Sequence, residues 1–173
     1  ENSKVNTQNS PAGWGVAIYI KHENNTEDRR QLKMGIFGPV ETKHNATNFL
    51  GAEFGSNNTG ELSAICEALK WLLEQENTNK PVALYYDSKY AAKIATGEYN
   101  AETNKYLAAK ARTLLRQVKQ QREIRLEHIK GHSKDEGNDA ADELANKGST
   151  GKSCRNEAEW TEIKHTHTQK YQK

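Results

Sequence analysis

Pro81-Val82-Ala83-Leu84-Tyr85-Tyr86-Asp87-Ser88-Lys89-Tyr90 is the stretch from which the fold is read. Val82 to Tyr86 is an apolar run too short for a helix and closed by a charged residue, which suits a buried strand ending at Asp87. Ser88 to Thr96 then reads as a helix stopped by Gly97. On the upstream side, Leu62, Ile65, Cys66, Leu69, Leu72 and Leu73 recur at three-and-four spacing, one face of an amphipathic helix running to about Gln75. Asn58 and Glu61, three residues apart, match a capping box for that helix. On the downstream side, Thr103 to Gln121 places Leu107, Ala111, Leu114, Leu115 and Val118 on one face, and Ile124 to Ile129 is another strand.

Further out, Trp14 to Ile20 reads as a strand, the charged run Lys21 to Arg30 as its turn, and Gln31 to Val40 as the returning strand, with Pro39 near its end or on an edge. Thr42 to Asn58 is irregular and reads as a loop with one short strand piece around Phe49 to Phe54. Lys130 to Gly137 is a further loop, after which Asn138 caps a last helix, Asp139 to Lys147, ended by Gly148. From Ser149 onward apolar periodicity stops, and only Trp160 and Ile163 offer local docking. An initial hairpin followed by alternating strands and helices predicts an α/β architecture, a mixed sheet flanked by helices. Ligands of such sheets gather beyond the carboxyl ends of parallel strands, where Asp87 stands.

Composition narrows the function classes. The 173 residues suit one domain, expected over 11–148, with a remnant at 1–10 and a polar tail at 149–173. A net charge of +2 does not by itself announce a nucleic-acid binder, so a local basic face must carry any such role. Cys66 and Cys154 fit neither a disulfide framework nor a zinc site. No apolar run of about 18 residues or secretory leader is seen, so the protein is expected to be intracellular and to have no membrane partner. The Asn-x-Thr triplets at Asn24, Asn45 and Asn57 are then expected to be chance.

Three acids stand where local structure would hold them: Glu61 in a first helical turn, Asp87 at a strand end and Asp142 in the last helix. Magnesium prefers such hard oxygen ligands and takes a few carboxylates plus water and phosphate oxygens. Taken singly, Glu61 is better explained as a helix cap, while Asp87 reads equally well as a helix start and Asp142 as an acid favouring a helix N-terminus.

Their joint order is harder to explain that way. Asn57-Asn58-Thr59-Gly60-Glu61-Leu62, Tyr86-Asp87-Ser88-Lys89-Tyr90, Lys130-Gly131-His132 and Gly137-Asn138-Asp139-Ala140-Ala141-Asp142-Glu143-Leu144-Ala145 resemble, in order and spacing, the signature blocks of the type 1 ribonuclease H family. Pro11-Ala12-Gly13-Trp14-Gly15-Val16 resembles the first-hairpin block, so the resemblance covers roughly residues 11 to 148. It implies a mixed five-stranded sheet flanked by helices, and an enzyme that cuts the RNA strand of an RNA:DNA hybrid, leaving a 5'-phosphate and a 3'-hydroxyl. It also implies that Glu61, Asp87 and Asp142 hold two Mg2+ ions, with Mn2+ able to substitute. In this class two metals about 3.5 to 4 Å apart flank the scissile phosphate. By the same resemblance His132 transfers protons or aids product release, and Asn57, Asn58, Lys89 and Asn104 lie along the hybrid. The hybrid would be told from DNA by its 2'-hydroxyls.

Two departures follow. Family members begin with a strand whose central Asp supplies a fourth carboxylate, and this sequence begins too late for it. Glu1-Asn2-Ser3 reads as a degenerate form without the preceding strand, so truncation upstream is expected. A chain truly starting at Glu1 would instead be a noncatalytic hybrid-binding domain, and an integrase-like DNA strand-transfer nuclease is a further alternative, disfavoured by Lys130-Gly131-His132. The second departure is the short connection before Thr103, where some members insert a basic element. Without it, affinity would rest on Lys89, Lys93, Lys105, Lys110 and Arg112, and a monomer or part of a larger chain is expected.

Overall fold

The computed structural model describes residues 10–21, 30–76, 79–130 and 135–171, with side chains described as far as 164. In order, the elements are β1 (Gly13–Lys21), β2 (Arg30–Pro39), α1 (Asn57–Glu74), β3 (Val82–Tyr86), α2 (Lys89–Thr96), α3 (Lys105–Gln121), β4 (Ile124–His128), α4 (Glu136–Ser149) and α5 (Glu157–Tyr171). The mixed α/β class expected from the sequence is the class observed.

β1 and β2 pair antiparallel, with Val16 opposite Ile36 and Gly15 opposite Phe37, and the register slips between Ile18 and Tyr19. The two-residue period of a strand divides this hairpin into two faces. Trp14, Met34 and Ile36 are buried together with Val16, Ile18 and Trp71 against α1. On the opposite face, Phe37 and Leu144 are buried with Ala17 where α4 crosses. Gly13 and Gly15 permit that crossing, because a Cβ at Gly13 would sit 2.1 Å from the Ala145 carbonyl oxygen.

β3 and β4 pair parallel, Leu84 opposite Leu126. Val82, Leu84, Ile124 and Leu126 pack on the main core, which α1, α2 and α3 build from residues such as Leu69, Ile94, Leu107 and Val118. α2 ends at Gly97, whose φ of 85° is the left-handed cap conformation that glycine adopts without strain.

The sequence reading allowed the first strand of the five to be missing from this chain. Among the described residues the other four form two pairs, β1-β2 and β3-β4. No described strand lies between β1 and β3, so each has one unpaired side, and a groove of about 1420 Å³ is lined by both strands together with α1 and α4.

Other boundaries shift for local reasons. The capping box of α1 is Ser56 with Thr59, not Asn58 with Glu61. Phe49 to Phe54 forms no strand. α3 begins at Lys105, and α4 begins at Glu136 with Asp135, not Asn138, as its cap, because the Asp135 carboxylate accepts from Asn138 N–H at 2.9 Å.

Beyond Ser149 the chain packs, where sequence suggested a loose tail. Phe37 N–H donates to the Cys154 carbonyl at 3.0 Å and Cys154 N–H returns a bond to Phe37 at 2.9 Å, so residues around 154 continue the outer edge of β2. Arg155 donates to the buried Glu67 carboxylate at 2.8 Å and lies 5.1 Å over the Trp14 ring. Trp160 and Ile163 dock as expected, against the cluster of Phe37, Leu144 and Cys154. Cys66 and Cys154 are both free and buried. Among the described residues no helix is long and apolar enough to cross a membrane.

Candidate active site

Glu61 owes its place to a cap that does not use it. The Ser56 hydroxyl accepts from Thr59 N–H at 3.1 Å, and the Thr59 hydroxyl accepts from Ser56 N–H at 2.7 Å. Two orphan donors of the first turn are satisfied without a carboxylate. Glu61, one turn in, is therefore available for other work, and Asn57 and Asn58 are exposed on the same turn.

Asp87 follows the last residue of β3 and is held by the parallel pair. Ile129 N–H donates to the Tyr86 carbonyl at 2.7 Å, and the His128 ring nitrogen Nε2 lies 3.0 Å from the Asp87 carbonyl. Ser88 caps α2, accepting from Ala91 N–H at 3.1 Å, and its hydroxyl stands near enough to the Glu61 carboxylate to favour its charged form. One serine thus serves both the start of α2 and a side chain of α1.

The electrostatics join the three acids. Burial pushes the Glu61 carboxyl above the usual range; the nearby Ser88 hydroxyl opposes this, and the negative charges of Asp87 and Asp142 add to the rise. Asp142, on α4, is raised first by partial desolvation, then by Asp87 and by Asp139. All three line one groove. Acids from α1, the end of β3 and α4 therefore sit close enough for Asp87 to disfavour the charge of both Glu61 and Asp142. Among the described residues no three His, Cys, Asp or Glu side chains form a ready-made metal cage. The donor set is nevertheless hard oxygen throughout, and an open arrangement suits magnesium, which keeps several waters and relies on few carboxylates.

The other anticipated residues are placed as follows. Lys89 is exposed at the start of α2. Asn104 is largely buried, with a left-handed backbone at φ 55°, and its side-chain oxygen accepts from Glu53 N–H at 2.8 Å. That bond braces the segment leading into α1 and takes one of the two acceptor positions of the oxygen, leaving the amide nitrogen for a ligand. His132 lies outside the described residues. Ser88 escaped the sequence reading of the site; its position directly after Asp87 at a helix start was the available signal.

Comparison with known proteins adds an independent line. The sequence pattern of the RNase H family matches residues 4–150. The chain is 31% identical over 125 residues to a ribonuclease H of Schizosaccharomyces pombe, covering 67% of this chain and 45% of that protein. It therefore spans less than half the length of that relative. In fold it is similar to the solution structure of the PFV RNase H domain, with a TM-score of 0.51 at 19% identity, covering 82% of this chain and 96% of that one. It is also similar to an N-terminal RNase H domain from Mycobacterium tuberculosis, solved as a fusion with maltose binding protein, with a TM-score of 0.51 at 15% identity, covering 80% of this chain and 91% of that one.

Proposed function

The chain belongs to the ribonuclease H family, and from that premise we propose that it is a type 1 member that hydrolyses the RNA strand of RNA:DNA hybrids. The observation that carries the reading is the convergence of Glu61, Asp87 and Asp142, three acids from separate elements, on one groove, where the charge of Asp87 bears on both of the others. Isolated structural carboxylates gain little from such crowding, whereas a divalent cation relieves it.

Glu61, Asp87 and Asp142 would hold the metal. When bound, two such ions would supply an activated water and charge stabilisation at the leaving 3'-oxygen. The protein's own part is positioning. Ser88, beside Glu61, favours its charged form, the β3-β4 hydrogen bonds fix Asp87, and the first turn of α1 presents Asn57 and Asn58. Neutral amides can both donate to and accept from a 2'-hydroxyl, which selects ribose over deoxyribose. Lys89 would meet a phosphate. The family's first-strand Asp has no counterpart among the described residues, so the proposed metal site is built from these three acids.

The test is a magnesium-dependent cleavage assay on labelled RNA:DNA hybrid, RNA duplex and DNA duplex, run on this chain and on one extended upstream. Cleavage of the hybrid's RNA strand alone is expected, with Asp87→Asn abolishing it at little cost to the fold. Cleavage of duplex DNA, or full turnover by Asp87→Asn, overturns the assignment. Hybrid binding without cleavage in both chains would support the noncatalytic alternative.

A further inference from the structure

Glu67, Lys70, Trp71 and Glu74 recur at three-and-four spacing and form one stripe of α1. Glu67 stands about 9 Å along the helix axis from Glu61 and about 120° around it, so the stripe belongs to a different side of α1 from the carboxylate cluster. With Trp14 and Ile36 of the hairpin and Arg155 from beyond α4, it lines a cavity of about 170 Å³. A cavity of about 150 Å³ takes a benzene ring, so this one has room for a single six-membered ring.

Glu67 sets the chemistry of the cavity. The residue is 3% exposed, and its Oε1 has no hydrogen-bond partner among the described residues. Lys70 Nζ lies 3.5 Å from Oε1 as an ion pair, and Arg155 Nη1 donates to Oε2 at 2.8 Å. The carboxylate is thus flanked by a cation at each oxygen. A buried acceptor without a donor is costly, and an N–H brought by a ligand relieves it. Lys70 and Arg155 balance Glu67 and Glu74, so the walls favour an uncharged ligand over an ion. Trp71, half-buried, supplies a flat wall. Lys33, 5.8 Å over the Trp71 ring, lines the large groove and not this cavity.

We propose that this cavity binds a cyclic imide ring of the uracil or thymine type, the ring N–H donating to Glu67 Oε1 and the two flanking carbonyls accepting from Lys70 and Arg155. Cation, carboxylate and cation read as donor, acceptor, donor, and the imide edge is the complement: acceptor, donor, acceptor. Cytosine sets a ring acceptor in the middle of its edge, opposite the carboxylate, and is excluded by the same pattern. The Trp71 indole offers the ring a stacking surface. The base comes either from a free nucleoside or from a single strand. The site stands apart from the nuclease reading and holds whether or not the chain cleaves hybrid.

The test is isothermal titration calorimetry of the wild type and Lys70→Ala with uridine, cytidine and N3-methyluridine, with circular dichroism to confirm the fold. Uridine is expected to bind the wild type with a Kd on the order of 1 mM or tighter. N3-methyluridine, which lacks the donor, and cytidine should each bind at least about tenfold more weakly. Lys70→Ala leaves the bond between Arg155 and Glu67 in place and should weaken uridine about fivefold or more. Competition by oligothymidylate assigns the base to a strand, and its failure to displace uridine assigns it to the free nucleoside; either supports the site. No uridine binding by the wild type at about 10 mM overturns the proposal. So does equal affinity for N3-methyluridine or cytidine, or an unchanged affinity in folded Lys70→Ala.

Discussion

Replacing Gly15 by alanine tests the link between the hairpin and the candidate site. An added Cβ would sit 2.5 Å from both the Ala141 carbonyl oxygen and Ala145 N, and 2.8 Å from Leu144 Cβ. The first two are backbone atoms of a helix and cannot rotate aside. Ordinary contact begins at 3.4 Å, so α4 must retreat from β1 by the difference, about 0.9 Å. Overpacking of this kind costs roughly 1–3 kcal/mol. For a chain of this size each kcal/mol lowers the melting temperature by about 2–4 °C, so the expected fall is about 2–12 °C. The functional effect should be larger in proportion, because Ala141 directly precedes Asp142 and moves it away from Asp87. A misplacement near 1 Å costs on the order of 100-fold in rate. The assays are thermal melting by circular dichroism and the initial rate of magnesium-dependent hybrid cleavage. Gly137→Ala is the control, since its Cβ would meet only side-chain atoms, Asp135 Oδ1 at 3.2 Å being the nearest. A Gly15→Ala protein melting within about 1 °C of wild type and cleaving at an unchanged rate would refute the reasoning.

Three further outcomes are expected. The raised Glu61 carboxyl means that the folded state holds that proton more tightly than the unfolded chain, so its contribution is fully present below the ordinary carboxylate range and is lost as pH rises through the raised value. Calorimetry in chelator should therefore show Glu61→Gln melting above wild type at neutral pH, with the gap closing below about pH 4; a variant no more stable at pH 7 contradicts this. Arg155→Ala strands the Glu67 carboxylate, only 4% exposed, with Lys70 at 3.5 Å as its remaining cation, and should cost about 3 kcal/mol in denaturant unfolding, part of it regained by adding Glu67→Gln. Ser56→Ala removes one half of the α1 cap and should cost about 1 kcal/mol; unchanged unfolding would show that Thr59 alone holds the turn.

The helices were legible because their inner faces repeat at helical spacing: Leu62, Ile65, Cys66 and Leu69 are all buried as the pattern required. The first strand of the hairpin and β3 were legible as short runs of β-branched, aromatic and apolar residues. Asp87 could be read as a strand end because the apolar run stops there. What failed were the caps, where several polar residues compete within two or three positions. Asn58 and Ser56 are both good caps, and only backbone geometry decides that Ser56, at φ −160°, is the one used. The docked segment after Ser149 was illegible for a different reason. Trp160 and Ile163 could be named as docking residues, but the rest of its hold, a cysteine, an arginine and two backbone bonds to Phe37, makes no periodic pattern. Ser88 was hidden because its double role, capping α2 and favouring the charge of Glu61, requires α1 and α2 to meet in space.

The segment around Cys154 and Arg155 bears on where this domain ends. The RNase H family pattern stops at residue 150, yet the outer side of β2 is closed at Phe37 by backbone bonds from beyond that point, and a buried acid of α1 finds its guanidinium there. A protein cut at the family boundary would bare a stretch of β-edge able to pair with a neighbouring molecule, and would leave the buried Glu67 carboxylate with Lys70 as its remaining cation. Shared ancestry and mechanical completeness thus draw different borders on this chain, and the second lies farther out.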